Sequence, residues 1–207
     1  QPYGVYVEES SAFYHKHTRI TERGYSLSCA GNKYLWKTPP LYNFKEKIRF
    51  SYKYPSGDAR FTLIFRYDRA TRRGFGLSIG FAADETVVFR LCKFEDITCT
   101  VIEEKSCPGA PYPADDTSYT AELVLKDNKV TGSVGDAAIE FSLPDECSAA
   151  GEAGICRNDF LGEIILEDVA LKSADEIERE MISAPVTAEI PTYSGGMIPY
   201  TLTYSAE

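Results

Sequence analysis

The 207-residue sequence predicts an all-β chain, an antiparallel two-sheet β-sandwich. Three observations carry this: a two-residue apolar/polar alternation in run after run, turn residues between the runs, and scant helical periodicity. Successive side chains of a strand point to opposite faces, so alternation marks a strand with one face on a core. Short strands at this spacing argue for a sandwich rather than βαβ units.

Taken in order, the first clear run is Lys47-Ile48-Arg49-Phe50-Ser51-Tyr52-Lys53-Tyr54, with every second residue apolar or aromatic. The next sets Phe61, Leu63, Phe65 and Tyr67 against Arg60, Thr62, Arg66 and Asp68. A third sets Phe75, Leu77, Ile79 and Phe81 against Gly74, Gly76, Ser78 and Gly80. Further strands are expected over 85–94, 97–104, 119–125, 130–134, 137–143 and 163–171. Pro55-Ser56-Gly57-Asp58 and residues 69–73 supply turns, and Asp127-Asn128 and Gly135-Asp136 read as short hairpins. A single short helix is expected over 174–182, its acids near the N-terminus where the helix dipole favours them. The sandwich is therefore assigned to residues 1–174. Residues 175–207 form a short helix and a Pro/Gly-punctuated tail, either an edge strand or the start of a following domain.

Composition removes several classes. The net charge is −9 and the pI about 4.9, with no dense Lys/Arg stripe, which speaks against nucleic acid as a partner. No apolar stretch is long enough to cross a bilayer as a helix. A start at Gln1, with no basic and apolar leader, is expected of a trimmed chain and leaves the compartment open. Six cysteines, at 29, 92, 99, 107, 147 and 156, show no CxxC spacing, so a zinc knuckle is not expected. Cys147 and Cys156 flank a small-residue loop and are the pair most readily bridged, although free buried thiols are equally ordinary.

The order of segments resembles a known superfamily. It runs Gly24-Tyr25-Ser26-Leu27, Leu35-Trp36, Phe44 at the head of a long strand, and Phe65-Arg66-Tyr67-Asp68 before a loop. Gly74-Phe75-Gly76-Leu77-Ser78-Ile79 follows, then Tyr119 to Leu125, the Asn128 turn, residues 151–155 and residues 166–171. This resembles the concanavalin A-like, laminin-G-like jelly rolls, nearest to domains in or beside bacterial glycan-active enzymes of the 3-keto-glycoside hydrolase type. The likeness covers roughly residues 24–173. It implies two six- or seven-stranded sheets, a concave face for sugar, and in some members a structural calcium ion. Fold alone does not choose among the activities such sandwiches host.

The glycine-lined strand is the most informative feature. With Phe75, Leu77, Ile79 and Phe81 inward, Gly74, Gly76, Ser78 and Gly80 leave the other face nearly bare, and strand glycines often mark a close approach. Arg60, Thr62, Arg66, Asp68 and Arg90 would rim that floor and hold sugar hydroxyls or a uronic carboxylate. The alternative for the same pattern is sheet curvature beneath a solvated charged face. Tyr34 and Trp36 share a face if extended, and would stack a sugar ring or pack under a loop. His15 and His17 are two apart, but no carboxylate or cysteine sits at ligand spacing beside them. Asp168, on the final strand, occupies a place where related sandwiches put a calcium ligand, and calcium needs several oxygens.

Catalytic patterns are missing. Adjacent acids at Glu103-Glu104, Asp115-Asp116 and Glu167-Asp168 point to opposite faces of a strand, whereas glycoside hydrolysis needs two carboxyls facing across one bond. No nucleophile elbow or P-loop occurs. The expectation is a non-catalytic carbohydrate-binding or accessory domain using Trp36, Tyr34, Arg60, Arg66, Asp68, Ser78 and Arg90. The alternatives are a 3-keto-glycoside hydrolase on the same face, or an interaction domain that docks a partner chain through its tail.

Overall fold

The computed structural model describes residues 5–8, 18–27, 31–157, 162–174, 176, 186–191 and 197–202. Sixteen strands follow one another: β1 Val5–Glu8, β2 Thr18–Ile20, β3 Tyr25–Leu27, β4 Lys33–Trp36, β5 Phe44–Lys53, β6 Phe61–Asp68, β7 Arg73–Phe81 and β8 Thr86–Glu95. They continue with β9 Thr98–Pro108, β10 Ser118–Lys126, β11 Lys129–Val134, β12 Ala137–Ser142, β13 Glu152–Arg157, β14 Glu163–Ser173, β15 Val186–Pro191 and β16 Met197–Leu202. The front sheet has the order β1-β4-β13-β6-β7-β8-β9, and the back sheet the order β12-β11-β10-β5-β14-β3-β2. β15 and β16 pair with one another in a two-stranded sheet.

The alternation read from the sequence sets which face each strand buries. In β5 the inward residues are Phe44, Glu46, Ile48, Phe50 and Tyr52, all fully buried. In β7 they are Phe75, Leu77, Ile79 and Phe81. The two sets meet between the sheets as one core, in which Phe50 and Phe61 pack edge-on at 4.9 Å across the sandwich. Gly132 on β11 allows the close approach, since a Cβ there would lie 2.1 Å from Leu77 Cδ2. The hairpin turns fall where Asn, Asp and Gly relieve the backbone: Asp96, Asp127 and Gly135 all have positive φ.

Seven strands, β1 to β4, β13, β15 and β16, lie outside the clear alternating runs. β4 and β13 are buried on both faces and so lose the polar half of the pattern. β2 and β3 are only three residues long. The helix expected over 174–182 falls outside the described residues except for Ala174 and Glu176, as do His15, His17 and Cys29.

Candidate functional site

The register of the front sheet brings outward side chains into rows. Thr62 on β6 faces Ser78 on β7, Ser78 faces Arg90 on β8, and Arg90 faces Glu104 on β9. The next row holds Gly80, Val88 and Ser106, with Arg60 at its β6 end. Arg60 ties the two rows together. Its Nε donates to Asp58 Oδ2 at 2.6 Å, and its Nη1 donates to Ser78 Oγ at 3.2 Å and to the Val88 carbonyl at 3.3 Å. Arg90 Nε donates to Glu104 Oε2 at 2.6 Å. Arg60 and Ser78 are buried, while the Arg90 and Glu104 side chains are 34% and 52% exposed. Three of the expected residues, Arg60, Ser78 and Arg90, are thus brought together.

The glycine floor is not bare. A Cβ on Gly80 would lie 2.4 Å from the Arg60 guanidinium, one on Gly76 would meet the Phe94 ring and the Thr62 methyl, and one on Gly74 would meet Tyr67. The glycines are small so that the protein's own flat groups can lie on them. Tyr67 and Phe94 meet edge to face at 6.3 Å and join Leu35, Ile64 and Cys156 in a second apolar cluster on the outer face. Lys33 Nζ sits 5.4 Å from both ring centroids. The outer face is therefore apolar and sealed toward β4, polar and open toward β8 and β9.

The remaining expected residues lie elsewhere. Tyr34 and Trp36 are core residues at 0% and 2% exposure, so neither ring can stack a sugar at a rim. The cause is that β4 is an interior strand, flanked by β1 and β13. Arg66 lies within a bulge of β6 with φ of 48°, which turns it away from the Ser78 row. It is buried and donates to the carbonyls of Cys147, Asp127 and Tyr42, with its guanidinium 4.2 Å from the Tyr42 ring. Arg66 is a clamp that closes one end of the sandwich. Asp68 faces Arg73, five residues from Ser78, or roughly 17 Å at the rise of a strand. Its carboxylate accepts from the Thr71 hydroxyl and the Ala70 amide, which hold it below the usual carboxylate range. It lines an open cleft of about 540 Å³ with Thr38, Tyr67, Arg69, Gly151 and Glu152, across which Arg69 and Glu152 pair at 2.8 Å.

Among the described residues, each of the adjacent acids read from the sequence is engaged with another group. Glu103 pairs with Lys105, Glu104 with Arg90, and Asp116 and Glu167 with Arg23, while Asp115 accepts from the Tyr54 amide. Asp168 is exposed and accepts from the Val169 amide. Among the described residues no group of three His, Cys, Asp or Glu is placed to hold a metal. Cys147 and Cys156 are unbridged: Cys147 belongs to the main core and Cys156 to the outer cluster, on opposite sides of the front sheet.

Reading the sequence alone misses Glu104 and Asp58, the partners of the two arginines. A two-residue turn at Asp96-Ile97 would pair Arg90 with Glu103. The bulge between Leu91 and Cys92 shifts the register so that Arg90 meets Glu104 instead, and no residue type announces that bulge.

No protein-family model matches the chain, and no curated protein matches it. Among solved structures, carbohydrate binding module CBM66 from Bacillus subtilis is similar, with a TM-score of 0.58 and 17% identity over 77% of this chain and 93% of that one. Lactose-bound congerin II matches with a TM-score of 0.44 and 12% identity, covering 64% of this chain and 92% of that one. A variant of human galectin-16 matches with a TM-score of 0.47 and 12% identity, covering 75% and 98%. At these identities the likeness shows the fold alone, and that fold is an antiparallel two-sheet jelly-roll sandwich.

Proposed function

We propose that the chain is a carbohydrate-binding sandwich that holds its glycan on the outer front face, over β7, β8 and β9. The observation that carries this reading is the in-register row Thr62, Ser78, Arg90, Glu104, with Arg60 laid flat beside it on Gly80. Arg60 and Ser78 are fixed by hydrogen bonds to one another, so the row is preorganised before any ligand arrives. Both guanidinium groups already have a carboxylate partner, Asp58 and Glu104. Such pairs set donors beside acceptors, which suits vicinal sugar hydroxyls, each a donor and an acceptor, better than an unpaired uronic carboxylate. The fold shared with a carbohydrate binding module supports the same reading.

A panel of immobilised neutral and acidic polysaccharides, with and without calcium, tests it. Saturable, calcium-independent binding to a neutral glycan, lost in Arg90→Ala, is the expected result. A folded chain that binds nothing on the panel overturns the reading.

A second reading keeps the likeness to 3-keto-glycoside hydrolases and places an enzyme on this face. Among the described residues the one carboxyl pushed strongly upward is Glu46, and it is sealed in the core away from the row. Release of product from a 3-keto sugar by the purified chain would favour the enzyme. Docking of a partner chain through residues 175–207 is a further reading, supported by the pairing of β15 and β16 in a sheet of their own.

A further inference from the structure

Strand β9 is the last strand of the front sheet, and among the described residues no strand pairs with its outer edge. Its two halves are unlike. In the second half Lys105 Nζ donates to the Glu140 carbonyl at 2.8 Å and Cys107 Sγ to the Ala138 carbonyl at 3.7 Å, so this half leans on β12 of the back sheet. Residues 95–102, the turn and the first half, are instead exposed without a break. Ile97, Val101 and Ile102 are 65%, 47% and 45% exposed, three of the five large apolar side chains that stand exposed among the described residues. Ile97-Thr98-Cys99-Thr100-Val101-Ile102 is β-branched apart from its cysteine and holds no charge and no proline. Lysines, prolines and inward charges keep natural sheet edges from pairing, and these six residues lack them all. The guard begins only past the bulge at Ile102, with Glu103, Glu104 and Lys105. A free edge of that composition is a template for one more strand.

We propose that the first half of β9 pairs with the same segment of a second copy of this chain, antiparallel about a two-fold axis, so that two front sheets join into one. Bonded and unbonded pairs alternate along an antiparallel ladder, so such an axis must set one residue opposite its own copy. Charge selects that residue. With Val101 opposite its copy, Thr100 meets Ile102, Cys99 meets Glu103, Thr98 meets Glu104 and Ile97 meets Lys105, and no like charges face each other. With Thr100 on the axis, Asp96 at the turn comes opposite Glu104. With Glu103 or Glu104 there, each acid meets itself, and like charges directly opposite destabilise a strand pair. Ile102 on the axis sets Val101 against Glu103, which wastes an apolar contact. The segment thus complements itself, apolar at the axis and uncharged opposite the acids, and needs no other sequence. A single strand pair is a small interface, so the dimer is weak, with a dissociation constant on the order of 100 µM. The two-fold closes the pair, and assembly stops at two.

Sedimentation velocity on the full chain, from about 1 µM to about 1 mM, tests this. The expected result is a monomer at the low end and a dimer at the high end, with amide exchange over residues 98–102 slowed only at the high end. Val101→Lys sets two cations against each other on the axis. It should leave a monomer throughout, with the melting temperature of the dilute chain unchanged because the side chain is exposed. Thr98→Glu, placed opposite Glu104, should weaken the dimer roughly tenfold, since the contact occurs twice, and Thr98→Lys should tighten it. A monomer at about 1 mM, which would leave the edge to a strand of some other protein, overturns the proposal. So does a dimer that survives in Val101→Lys, a pair of Thr98 variants that shift it alike, slowed exchange that falls outside β9, or assembly that grows past two.

Discussion

Trp36 Nε1 donates to Glu46 Oε1 at 2.6 Å, from the front sheet to the back, with both side chains shut off from water. Glu46 occupies an inward position of β5 where the alternation calls for an apolar residue, and its Oε2 has no partner. Burial pushes its carboxyl up to about 8, against a smaller lowering by the Trp36 hydrogen bond. The folded chain therefore holds a proton there that the unfolded chain releases near pH 4.5.

The pH dependence follows in sign. Because the folded value lies above the unfolded one, this contribution to stability is fully present below about pH 4.5 and is lost as pH rises to about 8. The loss from this one group is up to about 5 kcal/mol, at 1.36 kcal/mol per pH unit. Urea unfolding between pH 5 and 9 should show stability falling toward pH 8. Glu46→Gln should flatten that fall, and an unchanged slope would contradict the assignment.

Trp36→Phe removes the donor and leaves Glu46 buried with neither oxygen bonded. A loss of roughly 1–3 kcal/mol is expected, and the fall of stability should extend to higher pH, since the Trp36 bond lowers the Glu46 value. Unfolding of Trp36→Phe over the same pH series checks both.

Arg66→Ala should cost roughly 3 kcal/mol, because it strips the buried Cys147 carbonyl and the part-buried Asp127 carbonyl of their donor. Glycan affinity of the folded fraction should stay unchanged, since Arg66 lies off the polar row. Thermal melts and a binding assay on the same sample separate the two effects.

Gly80→Ala and Gly154→Ala should behave differently. At Gly80 the new Cβ meets the Arg60 guanidinium, whose displacement costs its bonds to Ser78 and Val88, about 1–2 kcal/mol, while glycan affinity falls. At Gly154 the Cβ would sit 2.2 Å from the Tyr34 carbonyl oxygen, where backbone must shift, and a loss of several kcal/mol is expected. Circular dichroism melts of the two variants distinguish them.

How much of this was legible in the sequence depends on whether a residue's neighbour is local. Phe75, Leu77, Ile79 and Phe81 announce their inward face because strand alternation is a property of the strand itself. Gly74, Gly76 and Gly80 announce a close approach, but what approaches comes from elsewhere: Tyr67 from β6, Arg60 from just before it, and Phe94 from β8. Trp36 reads as a surface aromatic or a core one with equal ease, and only the position of β4 between β1 and β13 decides for the core. Arg66 continues the alternation of β6 on paper, and the bulge that swings it out of the row leaves no mark in the residue types.

The most direct measurement is calorimetric titration of the glycan found on the polysaccharide panel into the unaltered chain, Arg90→Ala and Lys47→Ala. Arg90 stands in the polar row of the front sheet, and Lys47 lines a shallow hollow on the back sheet. The account predicts at least about a tenfold loss for Arg90→Ala, some 1.4 kcal/mol, and none for Lys47→Ala. Full affinity in Arg90→Ala, or a loss confined to Lys47→Ala, would contradict a glycan site on the outer front face.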